Sequence, residues 1–111
     1  MPVTLTIHRS ASEIGGNCIE LKASDGTRIL LDAGRPLDAP EHVEVRSLVP
    51  STLDTTSPLE AVLLSHPHQD HYGLLQGLPS NWRVYSGPAC RDLTKFTAAM
   101  FGDGIRQPFM T

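Results

Sequence analysis

Residues 61–73 read Ala61-Val62-Leu63-Leu64-Ser65-His66-Pro67-His68-Gln69-Asp70-His71-Tyr72-Gly73, and the rest of the chain is read outward from them. The first four residues form a short apolar run bounded by polar positions. That is the pattern of a buried strand, which usually belongs to a parallel sheet covered on both faces. The next seven hold four side chains able to bind a metal: His66, His68, Asp70 and His71. A loop at the carboxyl end of such a strand is where open α/β sheets place their ligand sites. Imidazoles with a carboxylate suit zinc, manganese or iron, and the softness of the donors favours zinc.

Upstream, Val3, Leu5 and Ile7 alternate with Thr4, Thr6 and His8, which predicts a half-buried strand with the apolar phase inward. His8 lies on the polar phase and reads as a solvated or hydrogen-bonded histidine, not a ligand. Asn17 to Lys22 predict a second strand and Thr27 to Leu31 a third. Asp25-Gly26 between them signals a hairpin with a type I′ turn. The third strand ends in Leu30-Leu31-Asp32-Ala33-Gly34. A carboxylate directly after an apolar strand needs partners. Asp32 therefore either caps the following turn or accepts a hydrogen bond from the histidine loop, and both roles are compatible.

Residues 35–58 are irregular, with prolines at 36, 40, 50 and 58. A short strand near Val43 to Val45 or a helical turn fits there, and so long a loop suggests a substrate-facing rim. His42 sits among charged residues and reads as solvated. After the loop, Tyr72 to Leu78 predict a short helix, and Trp82 to Ser86 a further strand. Pro88 opens a helix through Met100. Its apolar stripe Ala89, Leu93, Phe96 and Met100 is expected to pack in the core. Residues 101–111 trail off without the look of a finished terminus.

With 40% apolar and 19% charged residues, the composition is that of a soluble globular domain or part of one. The net charge of −3 argues against a basic nucleic-acid-binding surface but leaves a metal-dependent nuclease open. Cys18 and Cys90 form no C-x-x-C pair and read as reduced core thiols in a cytoplasmic protein. No secretory signal is recognisable, and no apolar run approaches a membrane span.

The pattern H-x-H-x-D-H at 66–71, preceded by Leu31-Asp32-Ala33-Gly34 and a buried strand, resembles the signature of the metallo-β-lactamase superfamily. The H-x-H of metal-dependent (β/α)8 barrels is a rival, but it does not require the Asp-His pair, and the repeated strand–helix units of a barrel are absent. The order of elements is similar to the N-terminal half of that superfamily's αββα sandwich: an α/β (α+β) fold with antiparallel strands, then strand, metal loop and helix. Within it, Glu13-Ile14-Gly15-Gly16-Asn17-Cys18 and Arg83-Val84-Tyr85-Ser86-Gly87 look like the ribonuclease J and β-CASP nucleases.

The resemblance implies that His66 and His68 ligate a first metal, Asp70 and His71 a second, and that Asp32 orients a ligand histidine. It implies two Zn2+, with Mn2+ or Fe as substitutes, and hydrolysis by a hydroxide that the two metals activate. Asp70 is then catalytic as well, orienting the nucleophile. RNA or another phosphodiester is the expected substrate. A small-molecule thioester, ester or lactone hydrolase and a non-catalytic metal-binding fragment or interaction module are the alternatives.

The family completes both sites with downstream histidines and a bridging aspartate. No histidine follows His71, and Asp92 and Asp103 lie in poor contexts for a bridge. A catalytic zinc takes three protein ligands, and this chain offers two per metal. Residues 1–111 are thus expected to be a partial domain, prone to self-association through surfaces left uncovered.

Overall fold

The computed structural model describes residues 2–9, 15–40, 42–100 and 105–111. They form a mixed α/β fold around one six-stranded sheet whose strands lie in sequence order: β1 (Val3–Arg9), β2 (Cys18–Ala23), β3 (Arg28–Ala33), β4 (Ala61–Leu63), β5 (Val84–Tyr85) and β6 (Phe109–Met110). The first three are antiparallel, and β3 to β6 run parallel. α1 (Gln69–Tyr72) connects β4 to β5, and α2 (Pro88–Met100) precedes β6. The carboxyl ends of β3 and β4 therefore emerge side by side, with Asp32 on one and Ser65 just beyond the other.

The hairpin between β2 and β3 is not closed by the expected type I′ turn. Gly26 N–H bonds Ala23 O, and Ala23 N–H bonds Thr27 O. Gly26 alone takes a positive φ, of 92°, and Asp25 does not. That is a three-residue loop: a type I turn followed by a left-handed glycine. The Asp25 carboxylate accepts from Thr27 N–H, which holds its pKa below the usual value.

One face of the sheet carries the core. Cys18, Leu30, Val62, Leu64 and Val84 pack there with Leu74, Leu75, Leu78, Trp82 and Ala98. The other face is apolar and open. Leu5, Leu21 and Ile29 are in register across it, as are Ile7, Ile19, Leu31, Leu63, Tyr85 and Met110. Val3, Leu5 and Ile7 are 60%, 56% and 46% exposed. Two expectations are corrected here: the apolar phase of β1 points outward, and β4 is covered on one face only, with Leu63 exposed on the other.

On the polar phase of β1, Thr4 and Thr6 are exposed and His8 turns inward. His8 bonds Glu20 Oε1 at 2.8 Å and Thr52 Oγ1 at 2.6 Å. Glu20 also receives Arg28, whose guanidinium donates to the carbonyls of Asp54, Ser57 and Pro58 and faces the Trp82 ring. This buried network ties residues 54–58 to the amino end of β3. That part of the irregular segment consequently lies at the opposite end of the sheet from the histidine loop. Its start borders the loop, with Arg35 N–H donating to Gln69 O, and Val43 to Val45 line a cavity with Gln69, Tyr72 and Gly73.

The expected stripe on α2 is also corrected. Leu93, Phe96 and Met100 are 53%, 65% and 69% exposed, while Thr94 and Ala98 are buried and Cys90 half-buried. The small side chains at 90, 94 and 98, one turn apart, are the ones turned inward, and the bulky row faces outward. The expected short helix at 72–78 is an α-turn beginning at Gln69 and a 3₁₀ turn at Leu75–Gly77. Val45–Leu48 form another 3₁₀ turn.

Candidate metal centre

The site is built from the ends of β3 and β4. Asp32 is the one described non-glycine residue with a positive φ, 60°. Aspartate tolerates this left-handed backbone better than most residues. Its carboxylate is buried and accepts three hydrogen bonds from the loop after β4. Ser65 N–H reaches Oδ1 at 2.8 Å, Ser65 Oγ reaches Oδ2 at 2.6 Å, and His71 Nδ1 reaches Oδ2 at 2.8 Å. The carboxylate is thus satisfied by the neighbouring strand's loop and not by a turn of its own.

α1 is laid onto the end of β3 by backbone bonds. Arg35 N–H donates to Gln69 O, Asn17 N–H to Asp70 O, and Leu74 N–H to Ala33 O. Gly34 makes the close approach feasible, since a Cβ there would stand 1.7 Å from the Asp70 carbonyl oxygen. These contacts put Asp70 and His71 in the helical turn instead of the preceding loop. His71 Nε2 faces Asp70 Oδ2 at 3.4 Å. The ring of His66 lies 4.7 Å from that of His71 and 6.2 Å from that of His68. His66 and His68 are exposed, and His71 is half-buried.

The structure brings Asp32, His66, Asp70 and His71 together, with His68 at the margin. Glu13 and Asp103 lie outside the described residues. Asp92 is far out on α2, its carboxylate exposed and paired with Arg91. His42 is exposed and His8 belongs to the network at Glu20. Ser65 was not anticipated from sequence. Its one signal was position: a hydroxyl immediately before the first histidine, at a strand end that faces Asp32.

In kind, these donors fit a metal. Two ligands of a tetrahedral ion at about 2.1 Å stand roughly 3.4 Å apart, which is the separation of His71 Nε2 and Asp70 Oδ2. In number they fall short. Among the described residues no three of His, Cys, Asp and Glu are arranged to hold one ion. Cys18 adds nothing: it is fully buried, and burial pushes its thiol from 9.0 up to about 12. No helix among the described residues is long and apolar enough to cross a membrane.

A protein of unknown function from Enterococcus faecalis V583 has a similar structure, with a TM-score of 0.72 and 22% sequence identity over 98% of this chain. At that identity the likeness shows the fold, and this chain spans 31% of that protein's length. The short form of human tRNase Z is matched over 96% of this chain and 42% of its own, with 14% identity and a TM-score of 0.48, too low to argue from. A search of curated proteins finds no significant match. A sequence profile described as the metallo-beta-lactamase superfamily matches residues 12–101. That span covers β2 to β5, the Asp32–His71 cluster and α2, and by it the chain belongs to the metallo-beta-lactamase superfamily.

Proposed function

We propose that this chain carries part of the metal site of a hydrolase, with a phosphodiester, RNA in the first place, as substrate. The observation that supports this most directly is the hydrogen bond from His71 to Asp32. It engages Nδ1 and leaves Nε2 beside Asp70. Metal-bound histidines commonly donate their other ring N–H to such a carboxylate.

Zinc bound at these residues, or manganese or iron in its place, would supply Lewis-acid activation of water and offset the charge developing on the attacked centre. The chain's own part follows from its donors. His66, His68 and His71 would hold the metal and would not act as bases, because coordination would occupy their lone pairs. Asp70, with one oxygen towards His71, orients the attacking water and accepts its proton. The RNA assignment is supported by the likeness of Glu13 to Cys18 and of Arg83 to Gly87 to ribonuclease J-type nucleases.

Residues 1–111 are part of a larger domain in this reading, with the remaining ligands supplied from elsewhere in it. The net charge of −3 favours a second reading, hydrolysis of a small thioester or lactone. The absence of a three-donor cluster among the described residues favours a third, a module that binds metal without turnover.

The test is cleavage of an RNA oligonucleotide, a diester chromogen, a thioester and a lactone by the longest natural form of this protein, loaded with zinc or manganese. Diester cleavage lost in Asp70→Asn and His71→Ala is expected. Turnover of thioester or lactone alone would transfer the assignment to the second reading, and no turnover of any of the four would leave the third.

A further inference from the structure

We infer that Ser65 is a positioning residue whose hydroxyl relays the Asp32 carboxylate to His66, so that one carboxylate sets the ring tautomer of two histidines. A serine hydroxyl has a single proton to give. Ser65 Oγ lies 2.6 Å from Asp32 Oδ2, the length of a charge-assisted O–H···O⁻ bond. The proton is committed there. The same Oγ stands 3.0 Å from His66 Nδ1, and with its proton spent it can only accept. His66 therefore carries its ring hydrogen on Nδ1. His71 Nδ1 faces the same carboxylate oxygen at 2.8 Å, so it carries its hydrogen on Nδ1 too.

Both rings then leave Nε2 without a hydrogen, that of His71 beside Asp70 Oδ2 at 3.4 Å. They do so side by side, their centroids 4.7 Å apart. The left-handed backbone of Asp32 and the Ser65 N–H on its second oxygen fix the carboxylate that both rings depend on. Ser65 Oγ also lies 3.4 Å from His71 Nδ1, but His71 is held by the carboxylate directly at 2.8 Å and His66 only through the hydroxyl, so the two respond differently to its loss. What the inference adds to the proposed function is a role for Ser65, and it rests on His66 and His71 being ligands only for the use the tautomers serve.

The experiment uses the metal-free 111-residue chain labelled with 15N-histidine, at about pH 8, above the ordinary histidine range. Long-range 1H–15N spectra separate protonated from bare ring nitrogens. Both His66 and His71 should show Nδ1–H. In Ser65→Ala, His66 should become a mixture of tautomers while His71 keeps Nδ1–H. Ser65→Thr, which retains the hydroxyl, should restore His66. An Nε2–H form of His66 in the parent chain would overturn the inference, as would an unchanged His66 in Ser65→Ala. If Ser65→Ala does not fold, Ser65→Thr decides: Nδ1–H at both rings upholds the relay, and any other state of His66 refutes it.

Zinc titration gives the second readout. Ser65→Ala should weaken binding about 10–100-fold, the usual cost of removing a ligand's hydrogen-bonded support, and Ser65→Thr should recover it. A parent chain that binds no zinc would count against the proposed function, while the tautomer spectra would still decide the role of Ser65.

Discussion

Gly34→Ala is the substitution that most directly probes how the candidate site is assembled. A Cβ at position 34 would lie 1.7 Å from Asp70 O, 2.4 Å from Asp70 C and 2.8 Å from Asn17 N. All three are backbone atoms, so no side chain can rotate away. To restore 3.0 Å, the limit real Cβ contacts respect, the oxygen must retreat by at least 3.0 − 1.7 = 1.3 Å. That movement pulls on the three bonds holding residues 69–74 to the end of β3 and the start of β2: Asn17 to Asp70, Arg35 to Gln69 and Leu74 to Ala33. Overpacking costs about 1–3 kcal/mol, and weakening bonds worth about 1 kcal/mol each adds to it. The expected loss is roughly 4 kcal/mol, a large share of the ~5–15 kcal/mol that holds a domain together. Urea unfolding followed by fluorescence of Trp82, the single tryptophan and 3% exposed, measures it. Gly87→Ala is the control, because nothing lies within 4 Å of its added Cβ, and it should be neutral or stabilise by about 0.4–1 kcal/mol. Equal stability of the two variants would refute the reasoning. A Gly34→Ala chain as stable as the parent would show that α1 is free to slide on β3.

Glu20→Ala should cost about 3–5 kcal/mol in the same unfolding assay, because it leaves the Arg28 guanidinium buried without its carboxylate; a loss under about 1 kcal/mol would show that the carbonyls of Asp54, Ser57 and Pro58 suffice. Burial raises the Cys18 thiol from 9.0 to about 12, so the folded state holds that proton more tightly. Its stabilisation is complete below about 9 and is lost as pH rises from there towards 12. The parent should therefore lose more stability than Cys18→Ala across that window, and alkylating reagents should modify half-buried Cys90 first. Equal pH dependence in the two proteins would dispose of that reading. The open sheet face should make the 111-residue chain self-associate, with Leu5→Glu and Ile7→Glu shifting it towards monomer in sedimentation velocity, whereas a parent that stays monomeric at every concentration would contradict it.

Much of this fold was legible because local pattern and tertiary structure agree. The strands expected at 17–22 and 27–31 form with their ends displaced by one or two residues, the apolar run at 61–64 holds β4, and Asp25-Gly26 closes the hairpin, though as a three-residue loop. The helix at 88–100 forms as expected, with Pro88 in its first turn. What failed was the inward direction. Alternation in β1 marks two faces but cannot say which is covered, and His8 is drawn inward by Glu20 and Thr52, contacts 12 and 44 residues away. On α2 the larger residues drew attention, yet the small Cys90, Thr94 and Ala98 are the ones turned inward. β6 was invisible, since two residues acquire strand character only by pairing with β5. At the site, the residue types were plain in the sequence and the hydroxyl was not. Ser65 matters through distances to Asp32 and His66 that only the adjacency of β3 and β4 creates.

The proposal that residues 1–111 are part of a larger domain gains from two deficits that arise independently. The first is chemical: His71 Nε2 and Asp70 Oδ2 stand at the separation of two ligands of one ion, yet no third donor joins them among the described residues. The second is one of packing. Ile7, Ile19, Leu31, Leu63, Tyr85 and Met110 run in register across all six strands on a face that nothing described covers. Burying apolar surface is worth about 25 cal/mol per Å², so such a face is a strong attractor for a second apolar layer. That row passes through Leu31 and Leu63, each next in sequence to or two residues from the Asp32–Ser65 bridge. A layer placed on it would therefore reach the rim of the histidine loop, where further donors are needed. A second copy could cover the face, but a two-fold operation would have to bring its own donors to the same rim. A covering layer from the same domain meets both needs at once. The two alternatives part on one measurement: a dimer that binds zinc no better than the monomer would leave the same-domain layer as the remaining source of the missing ligands.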